Sequence, residues 1–438
     1  MSPRCIPASS APGPHGGRVP RHTHRFASVL ASALVTAALG CGEDTESPSA
    51  PEPTPALATA STLPLSFAQI SAGGVHTCGV TTAHRAYCWG DNSAGQLGDG
   101  TKTSRPRPVA VAGGLQFLRV SAGNGHTCGI TTTNRAYCWG INSDGQLGDG
   151  TQGTSRLRPV AVAGGHSFRS VSAGTYHTCA VTLWDVAYCW GNNEQGRLGS
   201  SLGFIRLTPT TVAGGLRFRQ VIAGTFHTCG ATTSFQGYCW GANGNGQLGN
   251  GTGIRSAKPV PVAGGLHFRM VVAGGGIILI PSEQQEGGFS CGITTGDLAY
   301  CWGDNTNGVL GTSRASATPV AVDGAHRFRG INLSNDHVCA VTLWDVAFCW
   351  GQNEVGQVGD GTTAIRYKPV RVADGLDFLA VTTNPYSKHS CGVTTTNRAY
   401  CWGENRRGQL GVGAATGPQQ CFLGFPCSTK PEAVVGPS

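Results

Sequence analysis

The chain has 438 residues, of which 67 are glycine and only 12 % are charged. That balance excludes coiled coils and helical bundles and suits many short strands joined by tight turns. The formal net charge is +8, but four arginines and no acids precede Cys41, so the remainder carries 27 basic against 23 acidic residues, too few and too dispersed to mark a nucleic-acid surface.

In chain order, Arg18, Arg21 and Arg25 precede a run over residues 26–39 that is apolar apart from Ser28, Ser32 and Thr36. The run is too short to cross a bilayer as a helix and reads as a signal-peptide core behind a positive region. It ends in Ala38-Leu39-Gly40-Cys41, which resembles the lipobox of bacterial lipoproteins, although Ala38 stands where that family usually has leucine. The resemblance implies acylation of Cys41; simple cleavage near Gly40 is the alternative. Residues 42–64 hold five prolines and almost no large apolar side chain, so they cannot bury a core and read as an extended tether. The expected organisation is a signal peptide over 1–40, a Pro-rich linker over 41–66 with a lipid anchor at Cys41, and one large domain over 67–438. The expected location is outside the cytosol, as an outer-membrane or cell-surface lipoprotein, otherwise periplasmic or secreted.

From residue 67 one phrase returns seven times. Its Trp-Gly pair falls at Trp89, Trp139, Trp190, Trp240, Trp302, Trp350 and Trp402. Within a unit, apolar runs begin at Phe67, Thr77 and Arg85, a Gly-rich loop follows from Asn92, and a fourth run covers 108–111. Four strands in roughly fifty residues make one propeller blade. The fold class is therefore all-β, a seven-bladed propeller of four-stranded antiparallel blades. The turn between second and third strands centres on His84, Asn134, Asp185, Phe235, Asp297, Asp345 and Asn397. Six of these seven are types that tolerate positive φ, and Phe235 is expected to mark a distorted turn.

The order A-G-x-x-H, then an apolar strand, then Y-x-W-G-x-N-x-x-G-Q-L-G, resembles the regulator of chromosome condensation repeat, whose seven copies close a propeller. The resemblance covers roughly residues 67–436, and its Asn recurs in every unit, from Asn92 to Asn405. The Tyr-to-Trp spacing of kelch repeats is missing. Relatives in the resembled family serve as exchange factors for a nuclear GTPase, as secreted β-lactamase inhibitors and as ultraviolet receptors. The first role does not fit an exported chain, and no Trp precedes His76 or its counterparts as the receptor motif requires.

Fourteen of the eighteen cysteines form seven pairs at one spacing: Cys78 with Cys88, Cys128 with Cys138, Cys179 with Cys189, Cys229 with Cys239, Cys291 with Cys301, Cys339 with Cys349, and Cys391 with Cys401. Each pair faces itself across a hairpin, where a non-hydrogen-bonded site brings Cα atoms to about 4.5 Å, close enough for a disulfide. Cys421 and Cys427, in an extra loop of the seventh unit, are expected to bridge each other. An oxidising compartment suits all eight. Zinc is disfavoured because two facing cysteines supply half a tetrahedral site.

A histidine two places before the first cysteine recurs at His76, His126, His177, His227, His337 and His389, with Phe289 in the fifth unit. Repetition points to a structural role, satisfying each blade's own backbone, rather than to a metal. The GDGT acids Asp99, Asp149 and Asp360 read as turn formers, not calcium ligands. No metal, cofactor or catalytic residue is assigned, and no nucleophile elbow, phosphate loop or HExxH motif argues for an enzyme.

Function is expected where the copies disagree. The fifth unit carries an insertion over 277–288 that opens with Ile277, Ile278, Leu279 and Ile280, and Trp184 and Trp344 sit near hairpin tips in matching phrases. The insertion either folds back onto the ring or meets a partner, and each Trp either packs on a neighbouring hairpin or anchors an interface. The leading reading is a monomeric binding module, inhibitor- or receptor-like, for a protein or other surface macromolecule, with no nucleic acid and with the membrane reached only through a lipid anchor. The alternatives are a secreted hydrolase or lyase working at the channel mouth and a structural cell-surface protein without a specific ligand.

Overall fold

Each unit folds as four antiparallel strands taken in chain order, as its apolar runs require. In blade 1 these are Phe67–Ala72, His76–Thr81, Ala86–Gly90 and Arg105–Ala110, the fourth starting three residues before its apolar run. The computed structural model describes residues 64–280 and 283–437, and seven such sheets form a β-propeller. The expected signal peptide (1–40), linker residues 41–63 and the lipidation candidate Cys41 lie outside the described residues.

The first strands stand around a central channel of about 490 Å³, and the fourth strands form the outer edge. Every outer strand carries a proline at one position, from Pro108 in blade 1 to Pro431 in blade 7. Without an amide proton there, the edge offers less to another strand. Alternation of strand direction gives the ring two unlike faces. One, here the tip face, holds the turns between second and third strands and the links to the next blade; the Phe117 N–H donates to the His84 carbonyl across these two elements. The other, the loop face, holds the turns between first and second strands and the long loops between third and fourth.

All seven tip residues lie at positive φ, between 59° and 66°. Phe235, at 63°, makes the same turn as the others, so the distortion expected of it does not occur. A non-glycine residue there costs about 1–2 kcal/mol, and the Arg219 guanidinium, 4.6 Å from the Phe235 ring centroid, covers one face of the side chain.

Apolar burial lies between blades. The Cys78 and Cys88 side of blade 1 packs with Leu97 against Phe117 and Trp139 of blade 2. The same set recurs around the ring until Cys391 and Cys401 of blade 7 meet Phe67 and Trp89 of blade 1. All seven repeat tryptophans are fully buried, each worth about 4–6 kcal/mol of apolar transfer by area. Each indole N–H donates across the junction to a loop carbonyl of the preceding blade, as from Trp139 to Gln96 at 2.9 Å. The loop glycine beyond makes room for the ring: a Cβ on Gly98, at φ +69°, would stand 2.7 Å from the Trp139 Nε1.

The ring closes without dividing a blade between the two ends of the domain. Blade 7 is complete in itself, from Phe378–Thr382 to Pro426–Ala433. It meets blade 1 through the same non-covalent contacts as every other junction. The Phe67 N–H donates to the Asn397 carbonyl at 2.8 Å, and the Trp89 indole to the Gln409 carbonyl at 3.0 Å.

All eight expected disulfides form. In blade 1 the Thr81 N–H donates to Arg85 and the Asp91 N–H to Val75. Ladder alternation then puts Cys78 opposite Cys88 at a non-hydrogen-bonded site. Their Cα atoms are 4.0 Å apart, closer than the expected 4.5 Å. All fourteen in-blade cysteines are fully buried in the junctions between blades. Cys421–Cys427 ties the extra loop of blade 7, whose Gln419–Gln420 adds a short fifth strand.

Candidate functional site

The six repeat histidines are fully buried or nearly so, and their role is structural, though not the one expected. Each reaches the next blade rather than its own backbone. The Nε2 of His76 lies 2.8 Å from the Thr127 hydroxyl, that of His126 2.9 Å from Thr178, and that of His389 2.9 Å from Thr77, across the closure. Each hydroxyl donates its own proton onward to a carbonyl, as from Thr127 to Gln96 at 2.9 Å. The imidazole must therefore be the donor to the hydroxyl, which fixes the Nε2–H tautomer. Burial, the largest cause, lowers the pKa of His76 to about 4 and those of His126, His227 and His389 to about 3, so these four are neutral at physiological pH.

The fifth blade breaks this pattern on both sides at once. Phe289 replaces the histidine, and the residue it would reach in blade 6 is Val338 where the other junctions have Thr or Ser. Both are buried in one apolar cluster. An apolar pair here avoids leaving a buried donor without an acceptor.

The GDGT acids are taken up locally. The Asp99 carboxylate accepts from the Thr101 N–H and hydroxyl and from the Asn92 side chain. Burial raises its pKa, but these hydrogen bonds outweigh burial and the net shift is downward. Among the described residues no group of three His, Cys, Asp or Glu side chains could hold a metal ion.

Ser334, Asp336 and His337 of blade 6 come together, but both oxygens approach the same ring nitrogen. The Ser334 Oγ is 2.6 Å and the Asp336 Oδ1 3.1 Å from Nδ1, while Nε2 meets the Ser390 hydroxyl. The Ser390 hydroxyl on the opposite nitrogen is fully buried and donates to the Gln357 carbonyl at 2.9 Å, so the group seals a junction and presents no accessible nucleophile. The central channel takes residues from the first strands of all seven blades, with Arg119 its one charged lining residue and no carboxylate. Its loop-face end is crossed by the Asn384 side chain of blade 7, which donates to the Ala122 carbonyl of blade 2 at 2.8 Å. Among the residues lining the channel no carboxylate stands beside a base, the pairing that a hydrolase or lyase at its mouth would use.

The sequence-predicted binding candidates fall on opposite faces. Trp184 and Trp344 belong to the tip face and are 69 % and 67 % exposed, so neither packs on a neighbouring hairpin. The insertion belongs to the loop face, where Ile277–Ile280 and Glu283–Glu286 pair as a separate two-stranded hairpin between the first two strands of blade 5. The side chains of Ile277, Ile278, Leu279 and Ile280 are not among those described.

Around that hairpin the loop face is asymmetric. On blades 3 and 4, Tyr176 and Phe226 occupy the turns just before the repeat histidine with their ring centroids 6.2 Å apart, and the buried Arg197 guanidinium packs against both, 5.6 and 5.4 Å from the centroids. On blades 6, 7 and 1 the corresponding surface is charged. Lys388 pairs with Glu354 at 2.6 Å, Arg406 pairs with Glu404, and Asp91 lies 4.0 Å from Arg407. Burial lowers the Lys388 pKa, but the hydrogen bond and charge of Glu354 and the charges of Asp336 and Glu404 outweigh it and hold it above the usual value. Sequence reading passed over these residues, although the place before the histidine changes character in every unit: Val75, Gly125, Tyr176, Phe226, Gly288, Asp336, Lys388.

Comparison with known proteins agrees with this architecture. A family model described as the RCC1-like domain matches residues 35–384, and one for the regulator of chromosome condensation (RCC1) repeat matches residues 386–409. Among solved structures, Prp20p from Saccharomyces cerevisiae is 19 % identical, with a TM-score of 0.67 over 81 % of this chain and 87 % of that one. Human WBSCR16 is 20 % identical, with a TM-score of 0.64 over 73 % and 85 %. At such identities the likeness concerns the fold.

Proposed function

The chain belongs to the RCC1-like domain family, and from that premise we propose that it is an exported, membrane-tethered binding module holding a protein partner on its loop face. The observation that carries the reading is the division between repeated and unrepeated parts. Tryptophans, disulfides, histidines and motif asparagines all serve the junctions and loops that build the ring. Most of what differs between blades lies on one face, Trp184 and Trp344 being the exceptions: the blade 5 hairpin, the Tyr176, Arg197 and Phe226 cluster beside it, and the charged arc of blades 6, 7 and 1. An aromatic and arginine cluster next to a charged rim is the composition of a protein interface. Prp20p was characterised for binding to Gsp1p and histones and in complex with Kap60, so protein recognition is a use this ring serves in that relative. Eight disulfides support a location outside the cytosol, and the apolar run ending at Cys41 supports export with a lipid anchor.

The test is capture from an envelope extract with the whole chain and with residues 277–288 removed. The deletion leaves a turn of the length found in the other blades, so the ring keeps its disulfides and tryptophan burial. A protein captured by the parent and lost from the folded deletion variant supports the reading. A captured set unchanged by the deletion contradicts it.

A further inference from the structure

The tip face carries features that the binding reading does not use. Trp184 on blade 3 and Trp344 on blade 6 occupy the same turn position, nearly opposite one another on the ring, each preceded by an exposed leucine, Leu183 or Leu343. Two indoles at one height across the face make a broad, flat contact rather than a pocket. The charges around them are one-sided. Asp185, Asp297 and Asp345 are paired with Arg169, Arg269 and Arg329, and Asp323 and Asp374 with lysines of the outer strands. Among the described residues, Arg85, Arg135, Arg217, Arg219, Arg327 and Arg398, with Arg119 at the channel mouth, have no ion-pair partner, against one unpaired acid of this face, Asp377. Arg217 stands beside Trp184, donating to its carbonyl at 2.9 Å. On the loop face, in contrast, Asp99, Asp149 and Asp360 are matched by Arg105, Arg156 and Arg366 at the ends of the outer strands, so the charges there largely cancel.

The chain also enters the ring on the tip face. The Thr82 N–H donates to the Ser66 carbonyl at 3.0 Å, and Phe67 donates to Asn397 at the tip of blade 7. Ser66 and Phe67, at the start of the described domain, therefore lie on this side.

We propose that the tip face lies against an anionic lipid bilayer, with Trp184 and Trp344 in the headgroup region and the unpaired arginines against lipid phosphates, so that the loop face points away from the membrane. Exposed indoles favour the headgroup layer, and arginines beside them add attraction to anionic lipid. A bilayer is also the occupant that fits a flat face with widely spaced anchors and a net excess of unpaired cations. The proposal rests on the tethered reading for why this face would meet a membrane, but its test does not require the acyl chain.

The experiment uses the full chain carrying Cys41→Ser, which cannot be acylated there, with vesicles of phosphatidylcholine alone or with about one third phosphatidylglycerol. The folded protein, its disulfides intact by non-reducing mass, should sediment with the anionic vesicles, bind neutral ones more weakly, and be released by added salt. Trp184→Ala with Trp344→Ala should lower partitioning about tenfold with the fold unchanged. Brominated lipid should quench parent fluorescence and spare the double variant. No sedimentation of folded protein with anionic vesicles overturns the proposal. So does binding indifferent to the two tryptophans, or a double variant that loses an envelope protein while its vesicle binding is unchanged. An intact mass showing no acyl group on the parent chain would sink lipid attachment at Cys41 and leave this proposal standing.

Discussion

Replacing Thr178 by valine takes away the acceptor of the His126 Nε2–H while changing little in volume. The imidazole is fully buried and neutral, and its donor meets the Thr178 hydroxyl at 2.9 Å. An orphaned buried donor costs about 1–3 kcal/mol. The reverse change, His126→Phe, should cost less. Thr178 would still donate to the Gln146 carbonyl at 2.8 Å, and Phe289 shows that the site between blades accepts a phenyl ring. The double variant reproduces the Phe289 and Val338 solution at another junction and should unfold close to His126→Phe alone. The coupling between the two sites should therefore be favourable by about 1–2 kcal/mol. Guanidinium unfolding followed by tryptophan fluorescence, with disulfides intact, gives all four corners of the cycle. If Thr178→Val is no less stable than His126→Phe, or if the two effects add within about 0.3 kcal/mol, the histidine does not seal the junction as argued.

Acid should loosen the ring through the same residues. Their folded pKa values lie below the ordinary 6.5, at about 4 for His76 and about 3 for His126, His227 and His389. Their contribution is thus whole above pH 6.5 and falls as pH drops from there toward 3, by about 3 kcal/mol or more per histidine; a melting temperature flat across pH 4–7 would refute this. Cys128→Ser with Cys138→Ser opens a loop whose ends are ten residues apart and should cost about 3 kcal/mol, read as a lower unfolding midpoint. The untouched protein should resist alkylation after mild reduction, because its in-blade disulfides are buried. Gly411→Ala puts a Cβ 2.7 Å from the Trp89 Nε1 at φ +71°. The strain and the displaced indole together should cost about 2–4 kcal/mol and raise protease cleavage at the junction of blades 1 and 7, where an unchanged digestion rate would count against non-covalent closure.

Fold and disulfides were legible because the sequence repeats. Seven copies of one spacing leave little freedom, and a hairpin centred midway between Cys78 and Cys88 forces them opposite each other. Contacts between blades were less legible, since His76 meets Thr127 only once the sheets stand side by side. The joint replacement by Phe289 and Val338 was nevertheless visible to anyone comparing units at that separation. Phe235 was misread because residue preference at positive φ is statistical, and a ring under Arg219 offsets the cost. The exposure of Trp184 and Trp344 depends on how far the adjoining links rise, which neither phrase encodes. Nor could sequence alone separate those tryptophans from the blade 5 insertion, because the assignment to faces comes from the alternation of strand direction around the sheet.

The most direct measurement of where the partner sits is photo-crosslinking from each face in turn. A benzophenone side chain replaces Tyr386, exposed on the loop face, or Trp184, exposed on the tip face. The captured protein should cross-link from position 386 and not from position 184. Cross-linking from 184 alone would contradict the assignment of partner binding to the loop face.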